Sequence, residues 1–517
     1  MSSLPSYVAA AQPVPQSKRV AWFSSTAQTY AGIMLWFVFW QGLAAAGGAP
    51  GGTLAAGLPA ALIGLILAAL FCHFLFYLVP ALLGLQTGLP LYVVGTSTYG
   101  VHGGFIMPGF LMGLLQFGWL GVNAFAASEL LCKCFGIGLQ ANKVDVAVPG
   151  APHAIIAIIW AAGAAFMGLK GIQYVARVAT YLPLIPVVVL IVLFVKTVGG
   201  LGAFDPKALT NPPANPAAEK AQPENKPAEA APQPAEATQK TEPGKAEAKP
   251  GPNPMDSTAV IIMLVMVVTG FFATAGAAGC DFGMNNRDVR DVQLGGLVGI
   301  AGATIFSGGL ALLIVAGAYG AGLVPAGLHG KLNPLDLMRG APPESPGLLD
   351  ATVANIIMIA LALSSFPPAC FSAFIAANSF KTTLPNVNPF ISVGLGTVVS
   401  IILAVTGWAG QVVAVFQVIG ASFGPICGAM AADYILSGRR WAGPRAGFNP
   451  AGWISWVLGF LVGAVDFIAK IPGLQSLEGA IPAPPVAAFI VGFVLYAVLA
   501  KAGLESQKLE MPGVTSR

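Results

Sequence analysis

Two hydrophobic stretches of this chain are broken by glycine at matching places, and few folds tolerate that. The first runs from Leu35 through Trp40, Gln41 and Gly42 to Gly47 and Gly48. The second runs from Val268 through Gly270, Phe271 and Gly276 to Gly279. Such breaks free backbone N–H and C=O groups at mid-membrane depth. Lipid cannot satisfy them, so they must face protein, a cavity or a ligand. Four further apolar spans lie between the two, which makes them spans one and six. Paired broken helices five spans apart imply a secondary transporter built from inverted repeats.

The bilayer assignment rests on charge. Of 517 residues, 56% are hydrophobic and only 9% charged, where a soluble domain carries about 25%. No Asp, Glu, Lys or Arg occurs between Arg19 and Glu129. Hydropathy places twelve spans at 29–47, 54–79, 104–135, 152–169, 174–198, 256–278, 292–323, 351–377, 388–407, 411–436, 452–470 and 483–502. The expected fold is therefore an all-α integral membrane protein. With the N-terminus inside, eight of the nine arginines fall on the cytoplasmic side and only Arg339 lies outside. The positive-inside rule then makes both termini cytoplasmic in a plasma (inner) membrane. The net charge of +4 and the lack of a basic cluster give no reason to expect nucleic acid. The six cysteines have neither disulfide nor zinc spacing.

Five spans make an odd-numbered repeat, so the second copy runs upside down. The division is a tail (1–28), a first repeat (29–202), an external loop (203–254), a second repeat (255–436), two added helices (437–502) and a second tail (503–517). The loop is rich in Pro, Ala, Glu and Lys and nearly lacks large apolar residues, so it cannot bury a core. It is expected to be a disordered spacer.

Three stretches resemble one family, the nucleobase–cation symporter-1 group of cytosine permeases and hydantoin transporters. Gly424, Pro425, Gly428, Asp433, Tyr434, Arg439 and Arg440 match its span-ten pattern in order and spacing. Tyr99 to Gly103, then Gly118 to Asn123, resemble its signature entering span three. Gly279 to Phe282, then Asn286 to Asp288, resemble the segment after span six. The resemblance implies a LeuT-type 5+5 fold of twelve transmembrane helices, with discontinuous helices one and six. It also implies import of a flat polar heterocycle, coupled to sodium or protons. In that family an indole in span three stacks on the substrate, and Trp119 holds that position. Phe271 is similar to the ring that covers the other face. Asn123 stands where an amide reads the substrate's edge, one helical turn beyond Trp119 on the same face. Gln41 and Ser372 resemble two further polar contacts.

For the ion, sodium-coupled relatives carry paired hydroxyls in span eight. Here those positions fall on Phe366 and Pro367, with Ser364 and Ser365 two residues early. A proton needs a titratable group in the path. His73 in span two is the candidate; Asp281 and Asp433, at span ends, are expected to hold loops or pair with arginines. Glu129 is expected to pair with Lys133. Span ten, with its Gly424–Pro425 kink, is the expected inner gate. A cargo of allantoin, a vitamin or an amino acid remains open, as does a receptor that binds without translocating. No convergent nucleophile, base or metal cluster suggests an enzyme.

Overall fold

The computed structural model describes residues 4–26, 32–33, 51–137, 140–141, 147–148, 150–170, 181–210, 253–324, 334–341, 345–384 and 386–511. Among them nine helices are long and apolar enough to cross a membrane. These are Leu58–Thr87, Phe105–Cys134, Ala151–Lys170, Leu184–Ala203, Ser257–Ala277, Val289–Gly320, Ala351–Lys381, Val412–Leu436 and Pro484–Lys501. Two shorter apolar helices, Pro389–Val405 and Pro450–Gly463, fall at spans nine and eleven. Eleven of the twelve expected spans are thus helices. The glycine-broken part of span one lies outside the described residues, and so does most of the external loop.

Several starts are written in the sequence. An Asx side chain accepts an orphan N–H of the first turn. Asp256 takes Ala259 N–H at 2.8 Å, Asp288 takes Asp291 N–H at 2.8 Å, Asp350 takes Thr352 N–H at 2.9 Å and Asn388 takes Phe390 N–H at 2.9 Å. These residues open spans six, seven, eight and nine. Two hairpins of two residues per strand, at Gln140–Val148 and Gly340–Pro346, are the sheet structure among the described residues.

Span six departs from expectation in detail. It stays helical past Gly270 and Gly276 to Ala277, and a separate short helix, Gly279–Gly283, follows. The interruption is therefore at Ala278, the far end of the stretch read as broken. The glycines serve packing instead. A Cβ on Gly276 would lie 2.5 Å from the Phe76 side chain of span two, and small residues allow such close approach between membrane helices.

Buried apolar residues form two groups. One is contributed by spans three, four, eight and nine, with Phe117, Leu120, Ala161, Ala165, Ala373 and Val393 among its members. Its alanines and Gly168 let spans four and eight close on each other. The other holds spans two, six, seven, ten and twelve together. Span three contributes to both groups, so its Trp119 face lies where they meet.

The N-terminal stretch does not trail away. Val14 N–H donates to Gly88 O at 2.9 Å, Val20 N–H to Asn285 O at 2.7 Å, and Tyr7 Oη to Val101 O at 2.5 Å. Residues 4–26 are thereby laced across the ends of spans two, three, six and seven.

Candidate functional site

Three aromatic rings meet from three different spans. The Trp119 ring lies 5.0 Å from Phe271 of span six, nearly edge-on at 79°. It lies 5.4 Å from Phe416 of span ten, and Phe271 and Phe416 are 5.5 Å apart. Edge-to-face and tilted pairs at such distances are the favoured aromatic geometry. The indole N–H of Trp119 donates to Thr274 Oγ1 at 3.1 Å. Thr274 is one helical turn after Gly270, so span six supplies both a ring and a hydroxyl to Trp119.

Asn123 stands one turn further along span three. Its Oδ1 accepts the indole N–H of Trp160 in span four at 3.2 Å. Trp160 packs edge-on to Phe366 of span eight at 5.2 Å. Phe366, at one of the positions where the sequence resemblance implied a hydroxyl, is thus packed against span four.

The other sequence-predicted residues are spread out. Ser372 donates to Pro368 O of its own helix at 3.2 Å. Ser364 donates to Ala360 O at 2.8 Å and reaches Leu182 O at 3.5 Å, while Ser365 donates to Ala362 O at 2.7 Å. The two hydroxyls take different partners and form no shared cradle among the described residues. Buried His73 sits on a π-helical turn of span two, where a Cβ on Gly296 of span seven would lie 2.0 Å from its Nδ1. It therefore belongs to the contact between spans two and seven. Gln41 lies outside the described residues.

A cavity of about 1260 Å³ opens beside the N-terminal stretch. Its lining includes Tyr7, Tyr92, Met112, Asp281, Asn378 and Lys381. Met112 is the lining residue of span three nearest to Trp119, seven residues or about 10 Å of helix rise away, and Trp119, Phe271 and Phe416 are not among the lining residues. Asp281 accepts Leu91 N–H at 3.0 Å and so ties the loop between spans two and three to span six.

Asp433 anchors a different structure. Its Oδ2 accepts from Ser97 at 2.7 Å and Thr98 at 3.2 Å, and its Oδ1 pairs with Arg445 at 3.0 Å. Arg445, only 1% exposed, also pairs with Glu505 at 2.6 Å. Burial works against the arginine's charge, but Asp433, Tyr496 and Glu505 outweigh it, and its pKa is raised. The expected arginine partner is thus Arg445, not the neighbouring Arg439 or Arg440. Gly424, Pro425 and Gly428 face span twelve; a Cβ on Gly428 would stand 2.1 Å from Phe489 O. The residues read as an inner gate are placed as a close packing surface. The pair Glu129–Lys133 forms as expected, at 3.2 Å.

Comparison with solved structures gives three long matches. Mhp1, a nucleobase-cation-symport-1 family transporter in a closed conformation with bromovinylhydantoin bound, is 16% identical over 98% of both chains, with a TM-score of 0.58. The inward-facing conformation of Mhp1 is 14% identical over 96% of this chain and 95% of that one, at 0.57. The substrate-bound outward-open state of a Na⁺-coupled sialic acid symporter is 13% identical over 95% and 92%, at 0.56. This chain shares their fold. It is the LeuT-type fold that the broken spans and the three stretches of sequence implied. No family model and no curated protein matches the chain.

Sequence reasoning missed Phe416, Thr274, Trp160 and Arg445. Trp160 carried a signal, a lone indole inside a run of Ile and Ala. Phe416 did not, since Phe is ordinary in an apolar helix.

Proposed function

We propose that the chain is a secondary transporter that moves a small, neutral, planar heterocycle by alternating access. The substrate site lies between spans one, three, six and eight, with Phe416 of span ten added. The observation that carries this reading is the aromatic cluster of Trp119, Phe271 and Phe416, contributed by three spans. Flat rings suit stacking against such faces. Neutrality follows from the sequence around it. Residues 105–128 of span three, 257–280 of span six, 351–380 of span eight and 412–432 of span ten contain no Asp, Glu, Lys or Arg. An ionic cargo held at the rings would find no counter-charge within these stretches, with Glu129, Asp281, Lys381 and Asp433 just beyond their ends, and an unpaired buried charge is costly.

A nucleobase or a hydantoin has this chemistry, and the resemblance of the three sequence stretches points the same way. Coupling is to a proton or to sodium. Ser364 and Ser365 each donate to a carbonyl of their own helix, which leaves their oxygens able to accept but assigns no ion to them. Both termini face the cytoplasm, and Arg439 and Arg440 lie on that side.

The test is uptake of labelled cytosine, uracil, adenine, hydantoin and allantoin by cells lacking their own permeases, with and without sodium and with an uncoupler. Saturable uptake of one compound is expected. Ligand-induced stabilisation without uptake would make the protein a receptor. Neither stabilisation nor uptake, from protein shown to be folded, would sink the reading.

A further inference from the structure

We propose that Trp160 sets the polarity of the substrate edge that this site accepts. The inference rests on Asn123 facing the substrate, as in the function proposed above. An asparagine amide has one acceptor end and one donor end, and either end can point outward. Here the choice is fixed by a neighbour that has no choice. Indole N–H donates and never accepts, and it lies 3.2 Å from Oδ1 of Asn123. The oxygen is thereby turned toward span four. Asn123 is half-buried, and among the described residues its Nδ2 donates to no protein group. What it offers a ligand is two N–H donors. Flipping the amide would set an NH₂ against an N–H and forfeit the hydrogen bond.

Trp160 is itself held. Its ring stands edge-on to Phe366 at 5.2 Å and 83°, and spans four and eight are packed through small residues below it. The neighbouring indole repeats the arrangement, since Trp119 spends its N–H on Thr274 at 3.1 Å. Neither indole N–H is therefore left to bind a substrate carbonyl, and that task passes to Asn123. The site selects a ring whose exocyclic group toward Asn123 is a carbonyl oxygen over one whose exocyclic group there is an amino nitrogen. Trp160 is a positioning residue that acts through Asn123.

The experiment compares Trp160→Phe with benzothienylalanine placed at position 160. The latter keeps the bicyclic shape and lacks only the N–H, so it covers the case in which the smaller ring fails to fold. Binding of uracil against cytosine, and of hypoxanthine against adenine, is measured on purified protein, each pair exchanging a carbonyl beside a ring N–H for an amino group beside an unprotonated ring nitrogen. Loss of the N–H frees the amide to flip. The ratio of dissociation constants is expected to shift about fivefold toward the amino member, the scale of one neutral hydrogen bond. Affinity for the preferred member should change less. A ratio that moves less than about twofold while binding persists overturns the inference and leaves the transport reading standing, with the Asn123–Trp160 bond reduced to helix contact. Failure of the unaltered protein to bind any of the four compounds overturns this inference, while the transport reading is then decided by the uptake of hydantoin and allantoin.

Discussion

The cluster around Asp433 and the layer around Trp119 are both polar groups buried between spans, yet one runs on charge and the other on neutral dipoles. Asp433, Arg445 and Glu505 form a closed chain of ion pairs, with Ser97 and Thr98 filling the remaining oxygen. Each N–H of Trp119 and Trp160 instead meets a single neutral acceptor. A buried ion pair cannot lose a partner cheaply, so it suits a part that keeps its shape. Neutral hydrogen bonds of about 1 kcal/mol each orient the rings and the Asn123 amide without burying a charge. The difference separates scaffold from site.

The sharpest way to break this contrast is Arg445→Met. It leaves the Asp433 carboxylate buried with two hydroxyls and no cation, a loss of about 3–5 kcal/mol. The variant should fail to accumulate in membranes, and pairing it with Asp433→Asn should restore part of the melting temperature. Normal abundance and melting of the single variant would show that the charged cluster holds nothing. On the neutral side, Trp119→Ala gives up its ring contacts and the bond to Thr274 but buries no unpaired charge, so the variant should still accumulate as folded protein. Removing an aromatic face from a base costs about 1–3 kcal/mol, so half-saturation for uptake should rise about ten- to a hundredfold. Unchanged uptake kinetics would take Trp119 out of the site.

A smaller effect tests the indole's anchor. Thr274→Val keeps the side chain's shape and removes the acceptor of the Trp119 N–H. A lost neutral hydrogen bond predicts a rise of about fivefold in half-saturation, with the maximal rate retained. Equal losses from Thr274→Val and Trp119→Ala would mean that the hydroxyl touches the substrate itself.

How much of this could be read from sequence follows the range of the interactions. Spans, caps and the i, i+4 pair Glu129–Lys133 are local, and hydropathy and spacing found them. Trp119, Phe271 and Asn123 were found through matched stretches, and the first two rings do meet. Phe416 and Arg445 were invisible for the same reason in reverse. Phe416 reaches Trp119 across almost three hundred residues of chain, and no local pattern marks that contact. Arg445 sits in a loop whose basic residues look alike until one of them is buried. The break in span six falls at Ala278, at the end of the stretch read as broken, because glycine alone does not interrupt a membrane helix. Within a membrane helix Gly270 and Gly276 retain their backbone bonds and use their missing side chains to admit Phe416 and Phe76.

The smallest expected effect lies farthest from both clusters. Residues 211–250 hold Pro, Ala, Glu and Lys with almost no large apolar side chain, so they have little to bury against the bundle. The helices on either side carry their own fastenings. Gly200 and Gly320 are packed backbone to backbone, closely enough that a Cβ on Gly320 would stand 2.0 Å from Gly200 O. Asp256 caps span six without help from the residues before it. Replacing 211–250 by a short Gly/Ser linker should therefore change uptake less than about twofold, because loop closure depends only weakly on length. A large loss of uptake from well-folded protein would assign the loop to the transport cycle. The site would then no longer be confined to the spans.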